Sequence, residues 1–317
     1  MISSRVTLIL LVLGFLSNGQ PVIAAVATND QGAAIEVLDS SSEWLLWWTI
    51  PVAIVSLVIF TQIPDWRLKK TRLLESGFSS SAGLLLFAAA LIGGVLGASI
   101  ATHFVLPPME NGGNNLAATL PIMVGNYVGQ GFVFLLVPGL ILGRKQSRGI
   151  GRRMSWWRAV LAGCLGMAIA MPITLAVAQV AGFLIELSTG QTFDEIGHGT
   201  LLQIKEAAEH PDLTLVVIAI MVVIVTPIWE EVLYRGMLQE SIRKHPLARG
   251  ESPWTAIVIT SLIFAAMHGG VVDFRGLFAL FVLSLGFGWI YMRTGRLTAC
   301  IAMHAAFNAF NILLVIL

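Results

Sequence analysis

The chain has 317 residues, of which 56% are hydrophobic and only 12% are charged. Soluble globular domains contain about 25% charged residues, so this composition excludes an ordinary soluble domain. The formal net charge of +1 provides no bulk attraction to nucleic acid. The only two cysteines, Cys164 and Cys300, lie inside apolar runs and form neither a disulfide framework nor a CxxC metal pair. We expect a membrane protein, surrounded by the lipid bilayer and without a nucleic-acid partner.

Residues 1–27 have the pattern of a secretory signal peptide. Arg5 supplies a short positive segment, the apolar core runs from Thr7 to Leu16, and Ala25 and Ala27 form an A-x-A cleavage site. An uncleaved first span is the alternative, but this core is short for a bilayer of ~30 Å. We therefore predict a signal peptide at 1–27 and a flexible extracytoplasmic lead-in at 28–43.

Eight apolar segments follow the lead-in. They lie at 44–63, 81–105, 116–142, 159–185, 213–238, 254–272, 276–292 and 297–317. Lipid offers no water to exposed backbone groups, so each segment is predicted to be a helix. Glycines in the second segment, at 93, 94 and 97, favour close helix packing. The predicted fold is an all-α bundle of about eight transmembrane helices after a signal peptide.

Basic residues concentrate in alternate connections between these segments. The basic connections contain Arg67, Lys69, Lys70 and Arg72; Arg144, Lys145, Arg148, Arg152, Arg153 and Arg158; Arg243, Lys244 and Arg249; and Arg293 and Arg296. Because cytoplasmic loops are enriched in Lys and Arg, the odd-numbered spans are predicted to end in the cytoplasm. The acidic loop 186–212 is then outside, and its stretch LLQIKEAAEH is predicted to be a short interfacial helix. We expect a multi-pass protein of the cell (inner) membrane.

The fifth segment ends in TPIWEEVLYRGMLQE and contains two adjacent glutamates. Glu231 and Arg235 are four residues apart on one helical face, and the simplest interpretation is a structural ion pair. Glu230 is turned about 100° away and has no such partner, which favours a function for it. A helix over 213–238 is about 39 Å long and exceeds the hydrocarbon core, so the carboxylates are expected near its cytoplasmic edge.

Two further segments contain polar residues of catalytic type. The sixth has FAAMH, which ends at His268, and the eighth has HAAFN, from His304 to Asn308. Taken singly, a histidine here can be a hydrogen-bonded packing residue and Asn308 a contact between helices. Three apolar spans that each contain such groups are harder to explain in this way, because ionisable residues inside a membrane are costly.

The motifs E-E-x-x-x-R, F-x-x-x-H and H-x-x-x-N, each on its own span, resemble those of the CAAX-protease and bacteriocin-processing (CPBP, Rce1-like) family of intramembrane endopeptidases. The resemblance covers roughly residues 213–317. It places the protease-like core at 201–317 and leaves 44–200 as an N-terminal transmembrane scaffold. The residues that match the motifs are Glu230, Glu231, Arg235, His268, His304 and Asn308.

The resemblance implies a hydrolase that cleaves a peptide or lipidated-protein substrate. It implies that Glu230 is the general base for water, assisted by His268, and that His304 and Asn308 donate hydrogen bonds to the oxyanion. Glu231 and Arg235 would support this arrangement. No cofactor is required in this scheme. Zn²⁺ held by Glu and two His remains an alternative, although the sequence has no HExxH motif.

Two other classes of function stay open at this point. One is a non-proteolytic immunity or scaffold protein of the same fold, and the other is a proton-coupled transporter, since intramembrane Glu and His also form proton relays. A relay needs no His304–Asn308 spacing, and an inactive relative is expected to lack at least one of the six motif residues. All six are present, which favours the endopeptidase.

Overall fold

The computed structural model describes residues 26–28, 34–36, 40–68, 79–104, 116–136, 154–190, 198–245 and 252–317. Residues 1–25 of the predicted signal peptide and half of the predicted lead-in, 29–33 and 37–39, lie outside these ranges. Two short strands, β1 (Val26–Thr28) and β2 (Ala34–Glu36), pair in antiparallel fashion.

The rest of the described chain is helical. The helices are α1 (Ser40–Gln62), α2 (Ser80–Phe104), α3 (Leu116–Leu136), α4 (Trp156–Thr189), α5 (Gly199–Ala208), α6 (Leu213–Lys244), α7 (Pro253–Met267), α8 (Phe274–Thr294) and α9 (Leu297–Ile316). Each of the eight apolar segments forms a helix, and the predicted LLQIKEAAEH helix is α5. The prediction of a helical fold is confirmed.

Six of these helices are long and apolar enough to cross a membrane: α2, α3, α4, α6, α8 and α9. Two apolar helical stretches are shorter: Trp48–Gln62, which is the part of α1 whose side chains the structure describes, and the whole of α7. Large apolar side chains such as Leu85, Phe104 and Leu135 are more than two-thirds exposed, as lipid-facing residues must be. The protein is therefore an integral membrane protein with six full-length spans in its described part, where the sequence predicted about eight.

Helices α2 and α3 approach each other through glycines. A Cβ atom on Gly97 would overlap the carbonyl group of Gly125, and one on Gly129 would overlap the carbonyl group of Gly93. Any side chain at these positions would force the two backbones apart. The predicted close packing of the α2 glycines is thus confirmed.

Helix α6 is irregular where it passes the glutamates. Two π-helical segments, Met221–Val225 and Val232–Gln239, flank the α-helical segment Thr226–Glu231. The helix also continues to Lys244, so both glutamates lie near the middle of its 32 residues. The expectation that the carboxylates lie near the cytoplasmic edge of the hydrocarbon core stays a prediction.

Helix α5 covers one end of the bundle. Its Ile204 is fully buried with Leu215 and Ile218 of α6 and Ile312 of α9. The start of α5 is tied to the turn that follows α7, since the Gly199 amide donates to the Val271 carbonyl at 3.1 Å. His198 and Val272 form an isolated antiparallel bridge at the same place. Backbone hydrogen bonds to residues at the start of α5 therefore fix the position of the turn after α7.

Candidate active site

Glu230 lies between two histidines from different helices. Its Oε1 atom is 3.8 Å from His268 Nε2, and its Oε2 atom is 3.8 Å from His304 Nε2. The structure thus brings together three residues that are up to 74 positions apart in the chain. The Glu230 side chain keeps 21% of its surface exposed, so it is only partly buried.

His268 follows the last residue of α7, where the backbone leaves the helix. Its Nδ1 atom lies 2.7 Å from the carbonyl oxygen of Phe264. A carbonyl oxygen can only accept, so Nδ1 has the proton. In the neutral ring, Nε2 is then unprotonated and points toward Glu230, which suits a group that accepts and returns a proton.

His304 contacts both glutamates. Its Nδ1 atom donates to Glu231 Oε1 at 2.9 Å, and its Nε2 atom is the one that faces Glu230. The ring also stacks on Phe287 of α8, with centroids 4.7 Å apart and an interplanar angle of 22°. Hydrogen bond and stacking together fix the orientation of the imidazole.

Glu231 and Arg235 form the predicted ion pair. Arg235 Nη1 lies 3.1 Å from Glu231 Oε1, and both side chains are fully buried. Arg235 Nη2 donates to Ser284 Oγ at 2.6 Å, and the guanidinium lies over the Phe264 and Phe287 rings at 4.9 and 5.0 Å. These hydrogen bonds and aromatic faces compensate in part for the burial of charge. Among the described residues, Glu231 Oε2 and Arg235 Nε are buried without a hydrogen-bond partner.

Asn308 completes the backbone hydrogen bonding of α6. The Thr226 amide donates to the Met221 carbonyl, five residues back. The next donor in this π-helical series would be residue 227, and Pro227 has no N–H to give to Val222. Asn308 Nδ2 donates to the Val222 carbonyl instead, at 2.7 Å. One amide hydrogen of Asn308 therefore connects α9 to α6 about two turns before Glu230, and the second remains available.

A wall of this region comes from α3, which belongs to the predicted scaffold. The Tyr127 hydroxyl is hydrogen-bonded to Thr226 Oγ1 at 2.5 Å. The neighbouring Trp229 indole is nearly parallel to the rings of Tyr127 and Phe134. The sequence interpretation missed Tyr127, and also Ser284 and Phe287. The available signal was the presence of Tyr127 and Ser284 as polar residues within apolar spans.

Glu230, His268 and His304 are also the types of residue that bind metal ions. Glu and two His are ligand types that suit Zn²⁺. However, no group of three or more His, Cys, Asp or Glu side chains in the described part of the chain is arranged to hold a metal ion. The chemistry below is therefore assigned to protein groups.

Comparison with known proteins agrees with the motifs. The family model described as type II CAAX prenyl endopeptidase Rce1-like matches residues 212–310. No curated protein and no solved structure matches the chain. The matched segment runs from the start of α6 through most of α9 and includes all six motif residues. The resemblance is confirmed over this segment: residues 212–310 of this membrane protein match the Rce1-like family.

Proposed function

We propose that the protein is an intramembrane endopeptidase, similar to CAAX prenyl endopeptidases, in which Glu230 activates water. The observation that supports this most directly is the position of the Glu230 carboxylate between two histidine Nε2 atoms, each 3.8 Å away. That separation is too long for a direct hydrogen bond. Both carboxylate oxygens are therefore available to a water molecule that the imidazoles can also contact.

In the proposed reaction, Glu230 removes a proton from water while the water oxygen bonds to the carbon of the scissile peptide bond. The electron pair of the C=O bond moves onto oxygen and gives a tetrahedral oxyanion. Collapse of this intermediate breaks the C–N bond, and the leaving nitrogen takes up the proton that water lost. His268 Nε2 is placed to pass that proton from Glu230 to the leaving group.

His304 and Asn308 are proposed to donate hydrogen bonds to the oxyanion. Removing one such donor typically costs about 3–4 kcal/mol in the transition state. The Nδ1–H group of His304 donates a hydrogen bond to Glu231. His304 can therefore donate a second hydrogen bond, from Nε2, only as an imidazolium. Asn308 would use the amide hydrogen that does not bond to Val222. Glu231 and Arg235 hold His304 and α6 in place.

The proposed substrate is a membrane-associated peptide or a lipidated protein. Glu230 lies near the middle of α6, which has 32 residues. The scissile bond therefore has to enter the membrane region to reach Glu230. A lipid attached to the substrate would keep its peptide segment at the bilayer and raise its local concentration. We place the protein in the cell (inner) membrane.

The direct test is cleavage of a peptide library, with and without prenylated cysteine, by the purified protein in detergent. Cleavage that disappears in Glu230→Ala supports the endopeptidase. If the folded wild-type protein cleaves no peptide, the non-proteolytic alternative replaces this proposal. Proton-coupled transport by the protein in sealed vesicles, without cleavage, would favour the transporter.

We further propose that hydrolysis needs no metal ion. Protein purified without chelator should contain no stoichiometric zinc and should keep its activity in the presence of a strong chelator. About one zinc per chain that is lost in His268→Ala would contradict this and identify His268 as a ligand.

A further inference from the structure

His198 lies next to the residues proposed for catalysis, although it lies outside the segment that matches the family. It immediately precedes α5 and forms the bridge with Val272, four residues after His268. The amides of Val271 and Val272 both donate to the His268 carbonyl, at 3.0 and 3.1 Å. His198 is thus attached to the same turn that positions His268.

The hydrogen bonds of His198 determine where its proton is. The Nδ1 atom accepts a hydrogen bond from the Thr200 amide at 3.2 Å, as an N-cap of α5. An amide can only donate, so Nδ1 is unprotonated and the proton of the neutral ring is on Nε2. The side chain therefore offers a donor at the end of the ring away from α5.

The other histidines have the opposite arrangement. The Nδ1–H group of His268 donates a hydrogen bond to the Phe264 carbonyl, and the Nδ1–H group of His304 donates one to Glu231. As neutral rings, neither has a proton left on Nε2 for a substrate. His198 differs from both, since its neutral form retains the Nε2 proton as a donor.

His198 is also close enough to the site to interact with its charges. Burial, reinforced by the nearby His268, lowers the pKa of His198, while the Glu230 carboxylate acts in the opposite direction. With a lowered pKa the ring is neutral near pH 7. It can then donate a hydrogen bond without placing a second cation beside His268.

We propose that His198 is a further catalytic residue, whose Nε2–H donates to the oxygen of the scissile carbonyl as negative charge develops there. No proton is transferred in this step, and the hydrogen bond strengthens as the oxyanion forms. This inference depends on the proposed peptidase function. The inference gives the N-cap of α5 a role in catalysis, although this residue lies outside the 212–310 segment that matches the family.

The test uses two substitutions that distinguish the N-cap function of Nδ1 from the donor function of Nε2. Asn is a preferred N-cap, so His198→Asn keeps an acceptor for Thr200 but removes the Nε2 donor. We expect kcat to fall about 100-fold with an unchanged melting temperature, as for loss of an oxyanion donor. His198→Gln places an amide near the Nε2 position and should recover part of the rate. His210→Asn, at an exposed position in the turn after α5, is the matched control and should behave as wild type.

If His198→Asn is as active as wild type, His198 is only a helix cap and the inference fails. A wild-type protein that cleaves no peptide would instead refute the proposed function. A measurement independent of activity is the NMR titration of the His198 ring in the intact protein. We expect the Nε2–H tautomer and a lowered pKa that falls further in Glu230→Gln. The Nδ1–H tautomer, or a pKa insensitive to Glu230→Gln, would overturn the inference.

Discussion

At the scale of single residues, the adjacent glutamates have different surroundings. Glu230 is partly exposed and has only long contacts to two imidazoles, whereas Glu231 is fully buried and bonded to Arg235 and His304. A carboxylate available to water can act as a base. One that is already bonded to an arginine and a histidine mainly holds those side chains in place. The two residues should therefore respond differently to the same substitution.

We expect Glu230→Gln to reduce peptide cleavage at least about 100-fold and to leave thermal stability nearly unchanged, because Gln keeps the shape but cannot accept a proton. Glu231→Gln should instead lower the free energy of unfolding by about 3–5 kcal/mol, because Arg235 remains buried without its ion-pair partner. Cleavage rate and melting temperature measured side by side distinguish the two. Near-wild-type cleavage by Glu230→Gln would disprove its assignment as the base.

At the scale of helices, the contact between Asn308 and the backbone of α6 explains a proline in a membrane-spanning helix. Pro227 frees the Val222 carbonyl, and Asn308 satisfies it from α9. Asn308→Ala leaves this carbonyl unpaired in an apolar setting, which should cost about 1–3 kcal/mol of stability. Pro227→Ala restores a backbone N–H group that can bond to the Val222 carbonyl. Adding Asn308→Ala to the Pro227→Ala variant should therefore cost clearly less stability than Asn308→Ala alone. Thermal unfolding of the two single variants and the double variant gives the comparison, and equal costs in both backgrounds would contradict the explanation.

The helices and the six motif residues could be predicted from the sequence because they depend on local patterns. Apolar runs marked all eight segments, and the i,i+4 spacing of Glu231 and Arg235 predicted their ion pair. Contacts between distant segments were not predictable in this way. The hydrogen bond from Arg235 to Ser284 and the bridge from His198 to Val272 depend on how helices are placed around one another. The contact of Asn308 with Val222 also depends on the π-helical register of α6. No pattern of residues in the sequence predicts that register.

At the scale of the whole molecule, the site lies toward the side of the bundle that α5 covers. His198 connects α5 to the turn after α7, beside His268 and Glu230. The distribution of Lys and Arg predicts that this side faces the exterior of the cell. A substrate would then approach Glu230 from the exterior or from the outer half of the bilayer.

Reporter fusions test this orientation. Fusions after Arg72, Arg153 and Arg249 should report a cytoplasmic location, and one near Asp194 should report an external location, because basic loops remain in the cytoplasm. A cytoplasmic signal at Asp194 would reverse the orientation and place the approach to His268 on the cytoplasmic side.

The shortness of α7 has a consequence for the surrounding lipid. Its 15 residues span about 22 Å, less than the ~30 Å of a typical hydrocarbon core. Its side chains at Leu262 and Met267 are nevertheless more than half exposed, so α7 lies at the lipid boundary. We expect the bilayer to become thinner beside His268, and each ångström of this hydrophobic mismatch costs a fraction of a kcal/mol. In vesicles of increasing acyl-chain length we expect cleavage to decline progressively at constant protein insertion, whereas a rate independent of chain length would show that the membrane does not adapt to α7.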